Sequence, residues 1–517
     1  MSDSRTHNSV RNIKWGMLHR VVSIFLPFIV RTLIITKLGV EYVGINSLFS
    51  SLLQVLSLSE LGFESAVVIV MYKDVVEQNK DRIGALLLFL KSVYKVVGLL
   101  IVGIGLAMLP FLGVFIKDIN EVPSDVNVYI IYLLFLINSS ASYFFGGYRQ
   151  SQLVAYQRND IVSKITLLVY IVMSFAQIIV LMTLENYYAY MVLLPISTIC
   201  TNVWLLITAK RKNPEIKLEG KISKDDRGRI KKLVLGSGLA KLGAILCVTL
   251  DNVVISSFLG IYILGLYNNY SYIVSAVVML LRVVYISIQG SVGNSVASDT
   301  VDKNFYDLKV FNFGYNWLLV WCSLCIVFLI QPFIAIWLGN SYMLPNYLCV
   351  ILGLYLYVSE SVSLINVYKY AIGILWEDWY RPIVMGSVNL ALNIAIVLCL
   401  SRYNQEMALT GVLLSSIIAY LFINNPWLTW TTFKYYFKKG FLKFYLKHSS
   451  WLLVFLFLVV LLYPIFKLIP VITGANGIVN LILRVVVIFV LPNLMMYFGF
   501  KNNDNYKTLE RRFFKRN

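Results

Sequence analysis

Fourteen stretches of this chain are apolar over the length of a helix, at about 13–38, 44–71, 83–116, 126–148, 162–183, 187–209, 233–258, 262–288, 310–330, 345–368, 382–400, 407–432, 449–468 and 478–499. Roughly 20 apolar residues in a row are what one helix needs to cross about 30 Å of hydrocarbon. The stretches are continuously apolar, not alternating, so membrane helices are expected and barrel strands are not. Composition supports this: 59% of the residues are hydrophobic and only 14% charged, against roughly a quarter charged in a soluble domain. A soluble fold is excluded, and little chain is left for a catalytic domain outside the membrane. The 34 Tyr and 30 Phe suit two broad membrane–water interfaces. The first stretch is too long for the apolar region of a secretory signal and has no small-residue cleavage site after it. It is expected to be the first span and its own uncleaved insertion signal.

The net charge of +19 would suggest nucleic acid in a soluble protein. Here its placement matters more. With the amino terminus inside, 34 of the 45 Lys and Arg fall in segments expected to be cytoplasmic, and three (Lys117, Arg402 and Lys467) in external connections. That asymmetry puts both termini in the cytoplasm and turns the positive charge towards anionic head groups of the membrane lipid. No nucleic-acid partner is expected, and the location expected is a bacterial cytoplasmic membrane. The longest polar interruption, KRKNPEIKLEGKISKDDRGRIKK at 210–232, divides the spans into six and eight. A second basic segment at 433–448 interleaves lysines with aromatics and is expected on the cytoplasmic membrane surface.

Residues 38–46 read LGVEYVGIN and residues 259–267 read LGIYILGLY, so Gly39 and Gly260, then Gly44 and Gly265, stand 221 apart. Six spans separate the copies, and parallel repeats imply a pseudo-two-fold axis along the membrane normal. The organisation expected is a six-helix bundle at 1–209, the basic linker at 210–232, a second six-helix bundle at 233–432, the amphipathic segment at 433–448, two further helices at 449–499 and a basic tail at 500–517.

A charge at the bilayer centre costs at least a few kcal/mol and so needs a partner or a polar cavity. In the second span Asn46, Ser50, Gln54, Ser57, Glu60 and Glu64 recur at steps of three and four, which puts them on one helical face. The first span carries Asn12, Gly16, Ser23, Pro27 and Arg31 in a similar row, and the eighth carries Asn268, Tyr272, Ser275, Arg282 and Gln289. Interhelical hydrogen bonding would account for the Ser and Gln. Arg31, Glu60, Lys241, Asp251, Arg282 and Glu360 together point to a shared water-filled lumen. At 1.5 Å per residue, Arg31 lies in the outer third, Lys241 near the middle and Arg282 near the inner end of its span. Arg20, Lys91, Lys95 and Arg484 are near enough to an interface to snorkel, and are given no role.

No chemistry-bearing motif is present: G-x-x-x-x-G-K, H-E-x-x-H and G-x-S-x-G are all missing. Cys322 and Cys325 form a C-x-x-C inside an apolar stretch without a second pair or a nearby His, so they read as buried thiols. Neither an enzyme nor a metal or other cofactor is expected.

The stretch RTLIITKLGVEYVGINSLFSSLLQVLSLSELGFESAVVIVMYK at 31–73 resembles the opening of bacterial polysaccharide flippases of the MATE-like multidrug/oligosaccharidyl-lipid/polysaccharide (MOP) superfamily. DNVVIS at 251–256, LGIYILGLYNNY at 259–270 and SVGN at 291–294 extend the likeness. The resemblance implies an all-α polytopic protein of about 14 helices, with two six-helix bundles in a V, two extra C-terminal helices and alternating access. It also implies a cationic cavity in lipid-flipping members, with arginines in the spans that hold Arg31 and Arg282. Asp251 matches the acidic residue of an Asp-Asn motif in the seventh span.

The function expected is therefore translocation of an undecaprenyl-diphosphate-linked oligosaccharide, with Arg31, Lys241 and Arg282 binding the pyrophosphate at successive depths. Gln54, Glu60, Glu64, Asp251 and Glu360 are candidates for polar contacts or for coupling to a proton or sodium ion. A glycan polymerase and glycosyltransferases of the same pathway would be partners, and a monomer is the expected state. The alternatives are a cation-coupled exporter of drugs or metabolites, which would want an acidic cavity, and a membrane glycan polymerase, which would want a larger external loop.

Overall fold

A computed structural model of the chain describes residues 5–56, 62–117, 122–374, 376–473 and 477–514, without the side chains at 5–11, 13, 235–248, 473 and 513–514. Among the described residues all regular structure is helical. Among the described residues eleven helices are long and apolar enough to cross a membrane, or twelve if one pair bent by 54° is a single span. The second expected span is represented by two helices, Val40–Leu56 and Phe63–Val76, and the seventh lies within the long helix Lys224–Leu259. The chain is a multi-pass membrane protein, and its helices form two compact units, 1–265 and 266–517.

Unit 1 contains α1 (Arg5–Lys37), α2 (Val40–Leu56), α3 (Phe63–Val76), α4 (Lys80–Met108), α5 (Val128–Phe144), α6 (Arg149–Ala155), α7 (Asn159–Thr183), α8 (Tyr187–Lys212) and α9 (Lys224–Leu259). Long α1 lies along α7, α5 along α8, and α2 along α9. Asn12 is not part of a polar lumen row. Its Nδ2 donates to the Gln157 carbonyl (3.2 Å) and its Oδ1 accepts from the Asp160 amide (2.7 Å), so it caps the start of α7 from another helix. The expected second span is also not one continuous helix. Gly62, at φ 82°, starts α3 in the left-handed region, where a residue without Cβ meets no penalty. The single helical face expected from Asn46 to Glu64 therefore does not exist.

The Leu-Gly repeat shows itself in packing. Gly39 (φ 136°) and Gly260 (φ 101°) turn the chain out of α1 and α9. A Cβ on Gly44 would overlap the Ile261 carbonyl, and one on Gly265 would overlap the Val40 carbonyl. Ile261 stands at Val40 plus 221 and Gly265 at Gly44 plus 221, so the two contacts are mutual images. Only glycines let the backbones approach this closely.

The end of unit 1 where α3 turns into α4 is tied by ions. Arg82 Nη2 donates to Asp226 Oδ1 at 2.7 Å, and Arg82 Nε lies 3.3 Å from Asp74 Oδ1. The basic linker expected at 210–232 is thereby pinned, with Ile216 buried and the Lys217 carbonyl against Gly84.

Unit 2 contains most of α10 (Ile261–Ser298), then α11 (Val301–Trp337), α12 (Asn346–Glu360), α13 (Ser363–Ile372), α14 (Arg381–Leu400), α15 (Gln405–Ile418), α16 (Asn425–Thr432), α17 (Phe441–Thr473), α18 (Gly477–Phe500) and α19 (Asp504–Phe514). Helix α11 is its axis and touches α12, α17, α18 and α19. Buried polar groups tie α10 and the connection before α12 to α11: Tyr270 Oη donates to Gln331 Oε1 (2.8 Å), and Gln331 Nε2 donates to the Leu344 carbonyl (2.6 Å). Residues 433–448 are the last turn before, and the first turns after, a reversal at Lys438 and Gly440.

Candidate functional site

The polar row of α2 opens on a cavity of about 470 Å³ inside unit 1. Asn46, Ser50 and Gln54 line it from α2, Asn138 and Ser139 from α5, and Tyr190 from α8. Their spacing of four residues puts Asn46, Ser50 and Gln54 on one stripe, while Leu48, Leu52 and Val43 on the other faces are buried. Tyr187 Oη donates to Asn46 Oδ1 and Thr198 Oγ1 to Asn138 Oδ1, both at 2.7 Å. Each of these amides still has its NH2 donors and a second oxygen lone pair. Arg31, half-buried on α1, is within Coulombic range of Tyr190 in the same wall. The wall is thus polar and uncharged with one guanidinium near it, a chemistry that suits oxygen acceptors and anions.

The other candidates in unit 1 fall in different places. Asp251 is buried on α9. On either side of it, Thr249 Oγ1 donates to Gln54 Oε1 (3.4 Å) and Asn252 Nδ2 to Ser51 Oγ (3.0 Å), which docks this stretch on α2. Glu64 does not line the cavity; it accepts from Tyr94 Oη of α4 at 3.4 Å. Glu60 and the side chain of Lys241 lie outside the described residues; the backbone at Lys241 is part of α9.

In unit 2, Arg282 and Glu360 come together. Glu360 ends α12 and is 8% exposed. It accepts from Ser363 Oγ at 2.7 Å, with Arg282 within Coulombic range and Tyr315 nearby. Arg282 is exposed on α10 and also approaches the Tyr285 hydroxyl. The guanidinium is open while its acid is covered.

Several charges that counting had assigned to loops are in fact buried. In unit 1, Arg149 follows the 54° bend between α5 and α6 and is 3% exposed. Its Nη1 donates to Gln152 Oε1 at 2.6 Å. In unit 2, Lys369 and Arg381 both bind Asp378, which is fully buried, and Arg381 also donates to Asn424. A signal was present: Tyr148-Arg149 and Tyr368-Lys369 are 220 residues apart, close to the repeat spacing. Arg484 is likewise no snorkelling residue. Its Nη1 and Nη2 donate to the carbonyls of Phe328 (3.2 Å) and Phe466 (3.1 Å), and its Nε to Asn480 Oδ1 (2.7 Å).

The two acids flanking Arg82 have pKa values shifted in opposite directions. Burial raises the pKa of Asp74, with Arg82 opposing it. Burial also works against the Asp226 carboxylate, but the Ser223 hydroxyl and Arg82 outweigh it and hold its pKa below the usual carboxylate range.

No family model matches the chain, and no curated protein matches it. Solved structures do. The lipid II flippase MurJ in an inward closed conformation superposes with a TM-score of 0.65 at 16% identity, covering 95% of this chain and 99% of that one. A MOP superfamily transporter from Pyrococcus furiosus gives 0.54 at 12% identity, covering 84% and 96%. An outward-facing multidrug resistance MATE family transporter gives 0.52 at 13%, covering 83% and 95%. The chain therefore has the fold of the MOP superfamily, whose matched members here are transporters and flippases.

Proposed function

We propose that this protein is a flippase for an anionic lipid-linked oligosaccharide, an undecaprenyl-diphosphate glycan, carried from the cytoplasmic to the outer leaflet by alternating access. The observation that carries the reading is the polar cavity of α2, α5 and α8 with Arg31 beside its wall. Sugar hydroxyls and phosphate oxygens are acceptors, and a polar, uncharged wall beside the Arg31 guanidinium would favour them over a cationic drug. The fold shared with a lipid II flippase supports the same reading. Arg31, Lys241 and Arg282 would hold the pyrophosphate, and no covalent bond would be broken. Glycosyltransferases and a glycan polymerase would act before and after it, in a bacterial cytoplasmic membrane with both termini inside.

A second reading, the cation-coupled exporter, is favoured by one observation: Glu360 lies near Arg282 and offsets part of its charge. Surface glycan display in a strain lacking this protein separates the two. Arg31→Gln and Arg282→Gln, each checked for membrane abundance, should lower display at least tenfold, which is a loss of about 1.4 kcal/mol of substrate stabilisation. Arg282→Gln/Glu360→Gln should stay inactive if Arg282 binds phosphate. Restored display in that double variant would make the pair structural, and normal display in all three variants would overturn the flippase reading.

A further inference from the structure

A cavity of about 540 Å³ lies at the basic end of unit 2, bounded by the first turns of α11, the first turns of α17 and the turn between α18 and α19. We propose that it is a binding site for a phosphate group, independent of the transported substrate. Lys443 and Lys447 line it from α17 and Lys309 from α11. Neighbouring cations in this region have carboxylate partners: Lys303 with Asp299 (2.8 Å), Lys439 with Asp302 (2.5 Å) and Arg512 with Asp307 (2.6 Å). Among the described residues the three cavity lysines have none. Lys443 and Lys447 are four apart on one helix, an arrangement of like charges that costs a few tenths of a kcal/mol unless an anion sits between them.

The rest of the wall suits an anion. Asn505 N donates to Asn503 Oδ1 at 2.9 Å, which caps α19, and the positive end of that helix opens on the cavity. His448 is 4% exposed; its Nδ1 lies 3.2 Å from Asn312 Oδ1, and its ring stacks on Phe444. Asp504 is the only carboxylate lining the cavity among the described residues, one negative charge against three lysines. Leu442 and Leu446, next in sequence to the two α17 lysines, are 64% and 61% exposed. They offer an apolar surface for acyl chains beside a phosphate headgroup, while a free phosphate would need only the cations.

The full-length protein, purified and delipidated, tests both sources. In one arm, native mass spectrometry compares retention of phosphatidylglycerol with phosphatidylcholine. In the other, the shift in melting temperature with inorganic pyrophosphate is read. Each variant is run beside its own ligand-free melting curve, and the exposed single Lys443→Gln replaces the triple if the triple unfolds. Wild type should prefer the anionic lipid, and Lys309→Gln/Lys443→Gln/Lys447→Gln should lose about fivefold of that preference per lysine. The surface triple Lys221→Gln/Lys224→Gln/Lys231→Gln should keep it. A pyrophosphate shift without lipid preference, lost in the cavity variant, assigns the site to a soluble phosphate. Absence of both effects in wild type, or equal loss in the surface triple, overturns the proposal.

Discussion

Arg484 offers the sharpest test of how unit 2 holds together. Pro332 lies inside α11 and Pro470 inside α17, and proline has no N–H. The carbonyls four residues earlier, Phe328 and Phe466, therefore lose their helical donors. These are the two carbonyls that Arg484 Nη1 and Nη2 reach, at 3.2 and 3.1 Å. The Phe328 and Phe466 rings stack with centroids 4.2 Å apart, which keeps the two carbonyls at the separation of one guanidinium. In Arg484→Leu both carbonyls go unmet in a largely apolar setting. Each hydrogen bond to a charged donor is worth roughly 1.5–3 kcal/mol in water-soluble proteins, and interhelical ones in membranes average about 0.6. Taking the lower range for a half-buried group gives a loss of about 1–3 kcal/mol for the pair. The diagnostic is a double-mutant cycle. Pro332→Ala and Pro470→Ala return the missing N–H groups, so Arg484→Leu should cost about 1–2 kcal/mol less in that background. Arg484→Lys, a point donor without the fork, should be intermediate. Reversible unfolding of the purified protein in bicelles is the assay. Additive effects of the arginine and proline changes would refute the reasoning.

Gly44→Ala and Gly265→Ala should each destabilise by about 1–3 kcal/mol because the added methyl meets a backbone carbonyl that cannot move aside. Gly103→Ala in α4, with open space around it, should be neutral or stabilising by up to about 1 kcal/mol, and equal melting temperatures for all three would contradict the packing of the repeat. Asp226, whose pKa is depressed in the fold, contributes stability that is present above its unfolded pKa and lost as pH falls through the lower folded value. Asp226→Asn should therefore unfold more easily at neutral pH and show a flatter acid limb, and an unchanged acid limb would count against the Arg82 pair. Cysteines at Tyr403 and Lys221 test orientation: an impermeant thiol reagent should label the first in intact cells and the second only after permeabilisation, and the reverse order would invert the topology.

The chain's own pattern determined that it is a bundle of membrane helices, because a hydrocarbon layer tolerates hardly anything else in a sequence this apolar. The spacing of Gly39, Gly44, Gly260 and Gly265 likewise disclosed a duplicated element, since only glycine suits both the turns and the close approach. The α2 row was legible as far as Gln54 because a helical stripe depends on spacing alone. It failed at Glu64, where one left-handed glycine broke the register. Which charges are buried was the part that tertiary structure decided. Composition gives Arg149, Lys369, Arg381 and Arg484 the same charge as any loop cation. Their partners range from near neighbours, Gln152 for Arg149 and Asp378 for Lys369 and Arg381, to Asn424 and the proline-orphaned carbonyls that other helices bring. Periodicity describes one helix at a time, whereas the burial of a charge depends on how the helices pack around it.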